Sequence, residues 1–272
     1  MTDRPILFSG PMVRALLDGR KTQTRRLCKV RTPMGKWVAI TSPDEELIEL
    51  EPREFNKGFF NYASTGGLSG PWPLRFAKGD RLWVRETWQS LSQYDRATGR
   101  GADLRYAASF RPGPGFKWRV SIHMPRWASR LTLTVTDVRV QRLQEITAED
   151  AQAEGATCRP NVTGFQSREP GWCMDWSQIG RPHRFAANGG ALTAGDICLG
   201  SARDAFANYW MKLNGEESWN ANPWIVALTF TVEKRNIDHE AESLSTLAVG
   251  AVAAASEPTR VAPPQSSSKD TP

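Results

Sequence analysis

The first regular pattern in the chain is a short apolar run at residues 5–8, followed by Met12, Val13, Leu16 and Leu17 at helical spacing. Ser9 and Pro11 are start signals and Asp18-Gly19 is a stop, which predicts a helix from Pro11 to the Asp18-Gly19 turn with Ser9 as its cap. Residues 21–27 then alternate polar and basic side chains with two threonines, and read as a strand with little aliphatic core of its own. A polar strand inside a compact fold points to function. Residues 81–88 alternate with Leu82, Val84, Glu86 and Trp88 on one face, which predicts a second strand. The clearest strand is 130–142, where the apolar parity switches near Asp137 and calls for a bulge. Thr147-Ala-Glu-Asp150 matches a capping box and opens a short helix that Gly155 closes. Residues 202–213 form a helix carrying Phe206, Tyr209, Trp210 and Leu213 on one face, and 224–232 a last strand.

Between these elements the periodicity lapses. Segments 30–78, 89–120 and 156–200 are rich in Gly, Pro and charge and read as insertions, the third with Trp172, Trp176, His183 and three cysteines, as befits a lid, a binding loop or a mobile stretch. From residue 236 onward Ala, Ser, Pro and Lys dominate, a composition that cannot pack a core, so 236–272 is expected to be a disordered tail behind one domain at 1–235. The expected fold class is α+β. With 40% hydrophobic and 24% charged residues the chain is globular rather than fibrous, and its net charge of +6 leaves an anionic partner such as nucleic acid open. No secretory signal is visible, and the longest apolar stretch, 247–255, falls far short of the roughly 20 residues a bilayer requires, so a cytoplasmic location without a membrane role is expected. Cysteines 28, 158, 173 and 198 are widely spaced without a C-x-x-C pair, which favours reduced thiols and no metal site. Neither a phosphate-cradling Walker loop nor a G-x-S-x-G elbow occurs.

Four stretches taken together, LLDGRKTQTRR (16–26), KGDRLWVRETW (78–88), SRLTLTVTDVRVQRLQEITAEDAQAEG (129–155) and NPWIVALTF (222–230), resemble the ASCH family, a relative of the PUA fold, in its phage and prophage branch. The resemblance covers about half of the chain, and it implies a small PUA-like β-barrel closed by flanking helices, with long loop insertions. Within that family the bacterial N4-acetylcytidine amidohydrolases carry a similar run of glycine, basic residue, Lys, Thr, x, Thr, x, Arg, with a catalytic Lys, Thr and Glu. The resemblance places those roles on Lys21, Thr24 and Glu154, and the motif's arginine on Arg26. It implies no metal and no organic cofactor. Those amidohydrolases are far smaller and lack the insertions, so the pocket here is open to enlargement, roofing or another substrate.

Hydrolysis of an N-acyl group from a cytosine amine needs a nucleophile, a base to activate it and an acid for the leaving amine. In the implied scheme a neutral Lys21 accepts the Thr24 proton, Thr24 attacks the acyl carbonyl and Glu154 protonates the departing amine. Lysine ordinarily titrates near about 10.4, so Lys21 needs burial and a neighbouring charge from Arg25 or Arg26 to serve as a base. In an ideal strand Thr22, Thr24 and Arg26 share a face and Lys21 points to the other, unless the Asp18-Gly19 turn holds Lys21 outside the pleat, and Thr22 is therefore a rival nucleophile. Thr22, Arg26, Trp83 and Glu86 are the candidate substrate contacts, with Glu86 expected to pair with Arg26 or Arg85 if it is structural. The expected ligand is a modified pyrimidine nucleoside or nucleobase. A non-catalytic RNA or DNA reader using Arg25, Arg26, Arg126 and Arg130, a ribonuclease and a phage accessory protein are the alternatives. An open basic groove would favour the reader, and a pocket converging on Lys21, Thr24 and Glu154 the hydrolase. Acyl group, polymer against free nucleoside, and oligomeric state stay open.

Overall fold

The computed structural model describes residues 2–31, 37–39, 46–49, 59–64, 67–90, 103–110, 117–160, 170–179 and 193–238. The chain divides into two units, 1–237 and 238–272, and the first is a mixed α+β fold around a five-stranded sheet. Its strands are β1 (Asp3–Leu7), β2 (Gln23–Leu27), β3 (Arg81–Arg85), β4 (Thr132–Arg142) and β5 (Trp224–Glu233), in spatial order β1-β3-β4-β5-β2. β1 runs parallel to β3, and the other pairs are antiparallel. Three helices bear on the site: α1 (Gly10–Leu17), α2 (Ala148–Ala153) and α3 (Ala202–Asn214). No helix among the described residues is long and apolar enough to cross a membrane.

The nearly continuous apolar run of β5 follows from burial on both faces. Val226, Leu228 and Phe230 face a core that holds Ile6, Phe8, Val13, Leu16, Leu82, Val84, Leu133 and Tyr209. Ile225 and Ala227, on the other parity, face Leu143, Ile146, Ala151, Phe206 and Trp210. β2 pairs with β5 so that Thr24 lies opposite Leu228, Arg25 opposite Ala227 and Arg26 opposite Val226. The polar strand therefore sends Thr24 and Arg26 toward the first core and Arg25 toward the second. The bulge expected near Asp137 is present, as a register shift between Val135 and Asp137 in the β4–β5 ladder.

The sequence signals at element ends hold in part. Thr147 Oγ1 accepts from Asp150 N–H at 3.1 Å and starts α2. Ser9 occupies the N-cap position of α1, but its hydroxyl is hydrogen-bonded to the Tyr209 hydroxyl at 2.6 Å rather than to the helix. Leu213, expected on the buried face of α3, is exposed, because the helix extends beyond the core by its last turn. The three segments read as irregular insertions carry short hairpins. Glu46–Glu49, Phe59–Ser64 and Gly67–Pro73 form a three-stranded antiparallel sheet, Trp88–Ser90 pairs with Leu104–Tyr106, and Thr157–Arg159 pairs with Gly171–Cys173. Strands this short, interrupted by Gly and Pro, cannot sustain a readable alternation. At the tail boundary, Asn236 donates from Nδ2 to the carbonyls of Arg126, Trp127 and Ser129, and Ile237 is buried, so packing continues past residue 235. The rest of the expected tail, 239–272, lies outside the described residues, as do 161–169 and 180–192 of the third insertion.

Candidate functional site

Lys21 is placed by the end of α1. Its amide donates to Ala15 O, as does that of Arg20, and regular strand pairing begins only at Gln23. Lys21 thus sits outside the pleat, which resolves the parity difficulty of the sequence. Its ammonium is wholly enclosed and meets Glu154, the residue that ends α2, through both the Glu154 carbonyl at 3.0 Å and the carboxylate Oε2. Arg25, equally enclosed, donates to the other carboxylate oxygen, Oε1, at 3.3 Å. Arg25 also reaches Asp150, which Arg139 binds from the opposite side at 3.0 Å. Asp150 and Glu154 are four residues apart and share the face of α2 that meets β2.

A second pair lies on the other parity of β2. Arg26 donates to Thr24 Oγ1 at 2.8 Å, to Arg25 O at 3.0 Å and to Leu7 O at 2.8 Å. The Phe8 ring joins the two groups: the Lys21 ammonium lies 5.7 Å from its centroid and the Arg26 guanidinium 5.0 Å. Lys21, Thr24, Arg26 and Glu154 are in this way gathered around one phenyl ring. Beside them opens a cavity of about 710 Å³, walled by β1 residues 5–7 with Phe8, by Arg25, Arg26 and Leu27 of β2, by Glu154, and by Phe206, Tyr209 and Trp210 of α3. The two edge strands of the sheet thus form its facing walls, bridged by the bond from Arg26 to Leu7.

Burial sets the electrostatics of this cluster. Desolvation pushes the Lys21 pKa below the ordinary lysine value, the Glu154 charge and hydrogen bond pull it back up, and Arg26 and Arg25 add to the lowering. Burial alone would raise the Asp150 carboxyl, but the Arg139 hydrogen bond and the charges of Arg25 and Arg139 hold it below the usual range. Burial likewise pushes up the Tyr209 hydroxyl, against the Ser9 hydrogen bond.

The other sequence candidates are elsewhere. Thr22 is exposed, and its backbone ties Ala153 and Phe230 together at the end of α2. Trp83 is half-buried in β3 under the Arg85 guanidinium, 5.3 Å from its ring. Glu86 is buried, and burial raises its pKa against the opposing charge of Arg130. Its partner is neither Arg26 nor Arg85 but Arg130, which binds both carboxylate oxygens at 2.8 and 3.0 Å. The described cavity wall includes none of these three; of the other candidates Glu154 and Arg26 line it, while Lys21 and Thr24 lie buried behind them. Phe8, Asp150 and Tyr209 were not singled out by sequence reasoning, although the four-residue spacing from Asp150 to Glu154 was a usable signal. Comparison of the chain with models of known families, with curated proteins and with solved structures finds no match.

Proposed function

We propose that the chain is an amidohydrolase that removes N4-acyl groups from cytidine-type nucleosides, with Lys21, Thr24 and Glu154 as its working groups and the five-stranded sheet curled as a PUA-like barrel around them. The observation that carries this reading is the enclosed Lys21–Glu154 pair packed against the same Phe8 ring as the Thr24–Arg26 pair, at the edge of a cavity of small-molecule size. The hydrogen bond joining Lys21 to Glu154 gives a proton a direct path between the two, and neutral Lys21 is the working form. Lys21 takes the Thr24 proton as the hydroxyl oxygen attacks the acyl carbonyl, and the Arg26 guanidinium on that oxygen stabilises the developing alkoxide. Glu154 takes that proton from Lys21 and passes it to the departing cytosine amine. Water then releases the acyl group from Thr24 as a carboxylic acid.

The reader alternative draws less support, because most of its proposed basic stripe is already engaged: Arg25 by Asp150 and Glu154, Arg126 by Asp3, and Arg130 by Glu86. The test is release of cytidine from N4-acetylcytidine by the intact chain and by Lys21→Ala, Thr24→Ala and Glu154→Ala. Each variant is expected to lose at least about a hundredfold in kcat/KM. In the intact chain the rate should rise with pH through an inflection below the ordinary lysine value of about 10.4. Absence of turnover by the well-folded chain on acetyl and longer N4-acyl analogues would remove the hydrolase reading.

A further inference from the structure

The cavity described above carries more positive charge than the hydrolytic chemistry requires. Lys29 and Arg75 both line it and both are exposed, and among the described residues neither side chain is hydrogen-bonded or ion-paired within the chain. Arg75 is positioned by an aromatic ring instead, its guanidinium 5.5 Å from the centroid of buried Phe76. Arg26 is held in the same manner over Phe8, and its three hydrogen bonds all go to neutral oxygens. The Arg75 and Arg26 charges are close enough to oppose each other. The one carboxylate in the wall among the described residues, Glu154, is already shared by Lys21 and Arg25. In the same wall the buried Trp210 indole N–H has no acceptor.

Like charges converging on one cavity repel, and a guanidinium held on a phenyl ring with its fork unused, as in Arg75, is preorganised for an oxyanion. The cavity volume of about 710 Å³ stands in the upper half of the roughly 300–1,000 Å³ range of small-molecule sites, with room beyond a base and sugar. We propose that Arg75 and Lys29, backed by Arg26, form a phosphate subsite at the open end of the cavity, so that the nucleoside the protein takes is a phosphorylated one. This rests on the nucleoside reading for the rest of the ligand. The phosphate is either a terminal monoester or a diester in a single strand, and the two share the same recognition chemistry.

Calorimetric binding separates this from catalysis, because it uses product-like ligands that need no turnover. The probes are cytidine, cytidine 5′-monophosphate and a short single-stranded oligocytidylate. The monophosphate or the oligonucleotide should bind the intact chain at least about tenfold more tightly than cytidine. That advantage should collapse in the Arg75→Gln/Lys29→Gln double variant and persist in Arg159→Gln, whose guanidinium stacks on Trp176 outside this cavity. A monophosphate that outcompetes the strand assigns a monoester, and the reverse assigns a diester. Equal binding of all three probes, or an advantage that survives the double variant, overturns the subsite. Failure to hydrolyse N4-acetylcytidine with the phosphate advantage intact removes only the amidohydrolase reading, and no binding of any probe removes both.

Discussion

Glu154 is the acceptor on which two enclosed cations depend, so the residues around it differ sharply in what their loss should do. Glu154→Gln leaves Lys21 and Arg25 buried with their shared charge partner gone, and is expected to cost about 3–5 kcal/mol. Lys21→Met removes one charge and leaves Glu154 its Arg25 partner, so its cost should be clearly smaller while the proposed activity disappears. Thermal denaturation followed by circular dichroism reads the ordering, and equal losses in the two variants would contradict the central position of Glu154. The pH dependence has a definite sign. The unfolded chain keeps the Lys21 proton up to about pH 10.4, the folded chain releases it earlier, and stability therefore rises with pH between those two values. Lys21, Thr24, Arg26 and Glu154 were named through the family resemblance that the GRKTQTRR run and the 129–155 stretch carry, and the fold brings Lys21 to Glu154 and Arg26 to Thr24. Arg25 was read only as a neighbouring charge, because strand parity says which face a side chain takes but not which helix covers that face.

At the scale of elements, α2 holds Glu154 in place with only six residues, so its two ends matter more than its length. Gly155, immediately after Glu154, has φ +112°, and a Cβ there would stand 3.2 Å from Ala15 Cβ and 3.8 Å from Lys21 Cβ. Gly155→Ala is expected to cost about 1–3 kcal/mol from backbone strain, with a further loss of activity from displacing Lys21. Gly215→Ala is the comparison, since its φ of +99° is similar but its surroundings are open. A Gly155 variant no worse than the Gly215 variant in Tm and turnover would show that the close approach is without consequence. Periodicity and end signals located α1, α2, α3, four of the five sheet strands and the β4 bulge. β1 was visible only as an apolar run, and the hairpins within 46–73, 88–106 and 157–173 were missed because three to seven residues between glycines and prolines give too few turns of the pattern to read. Long-range pairing was beyond the pattern altogether: nothing local says that Ser9 bonds Tyr209 or that Arg130 takes Glu86.

For the whole molecule, the first unit ends not with β5 but with the short stretch behind it. A chain ending at Asp238 is expected to keep its stability, whereas one ending at Lys234 should lose about 2–4 kcal/mol with the three Asn236 hydrogen bonds and the burial of Ile237. Urea titration of the two chains distinguishes them, and identical midpoints would show that the stretch is dispensable. The bond from Arg26 to Leu7 has a consequence at this scale as well. A sheet with two unclosed borders ordinarily offers rows of unused amides and carbonyls on which other chains can add strands and aggregate. Here the two borders face each other across the cavity and a side chain already occupies one of those carbonyls. The seam that admits a ligand is thus also the place where self-association would begin, and Arg26 stands guard over it.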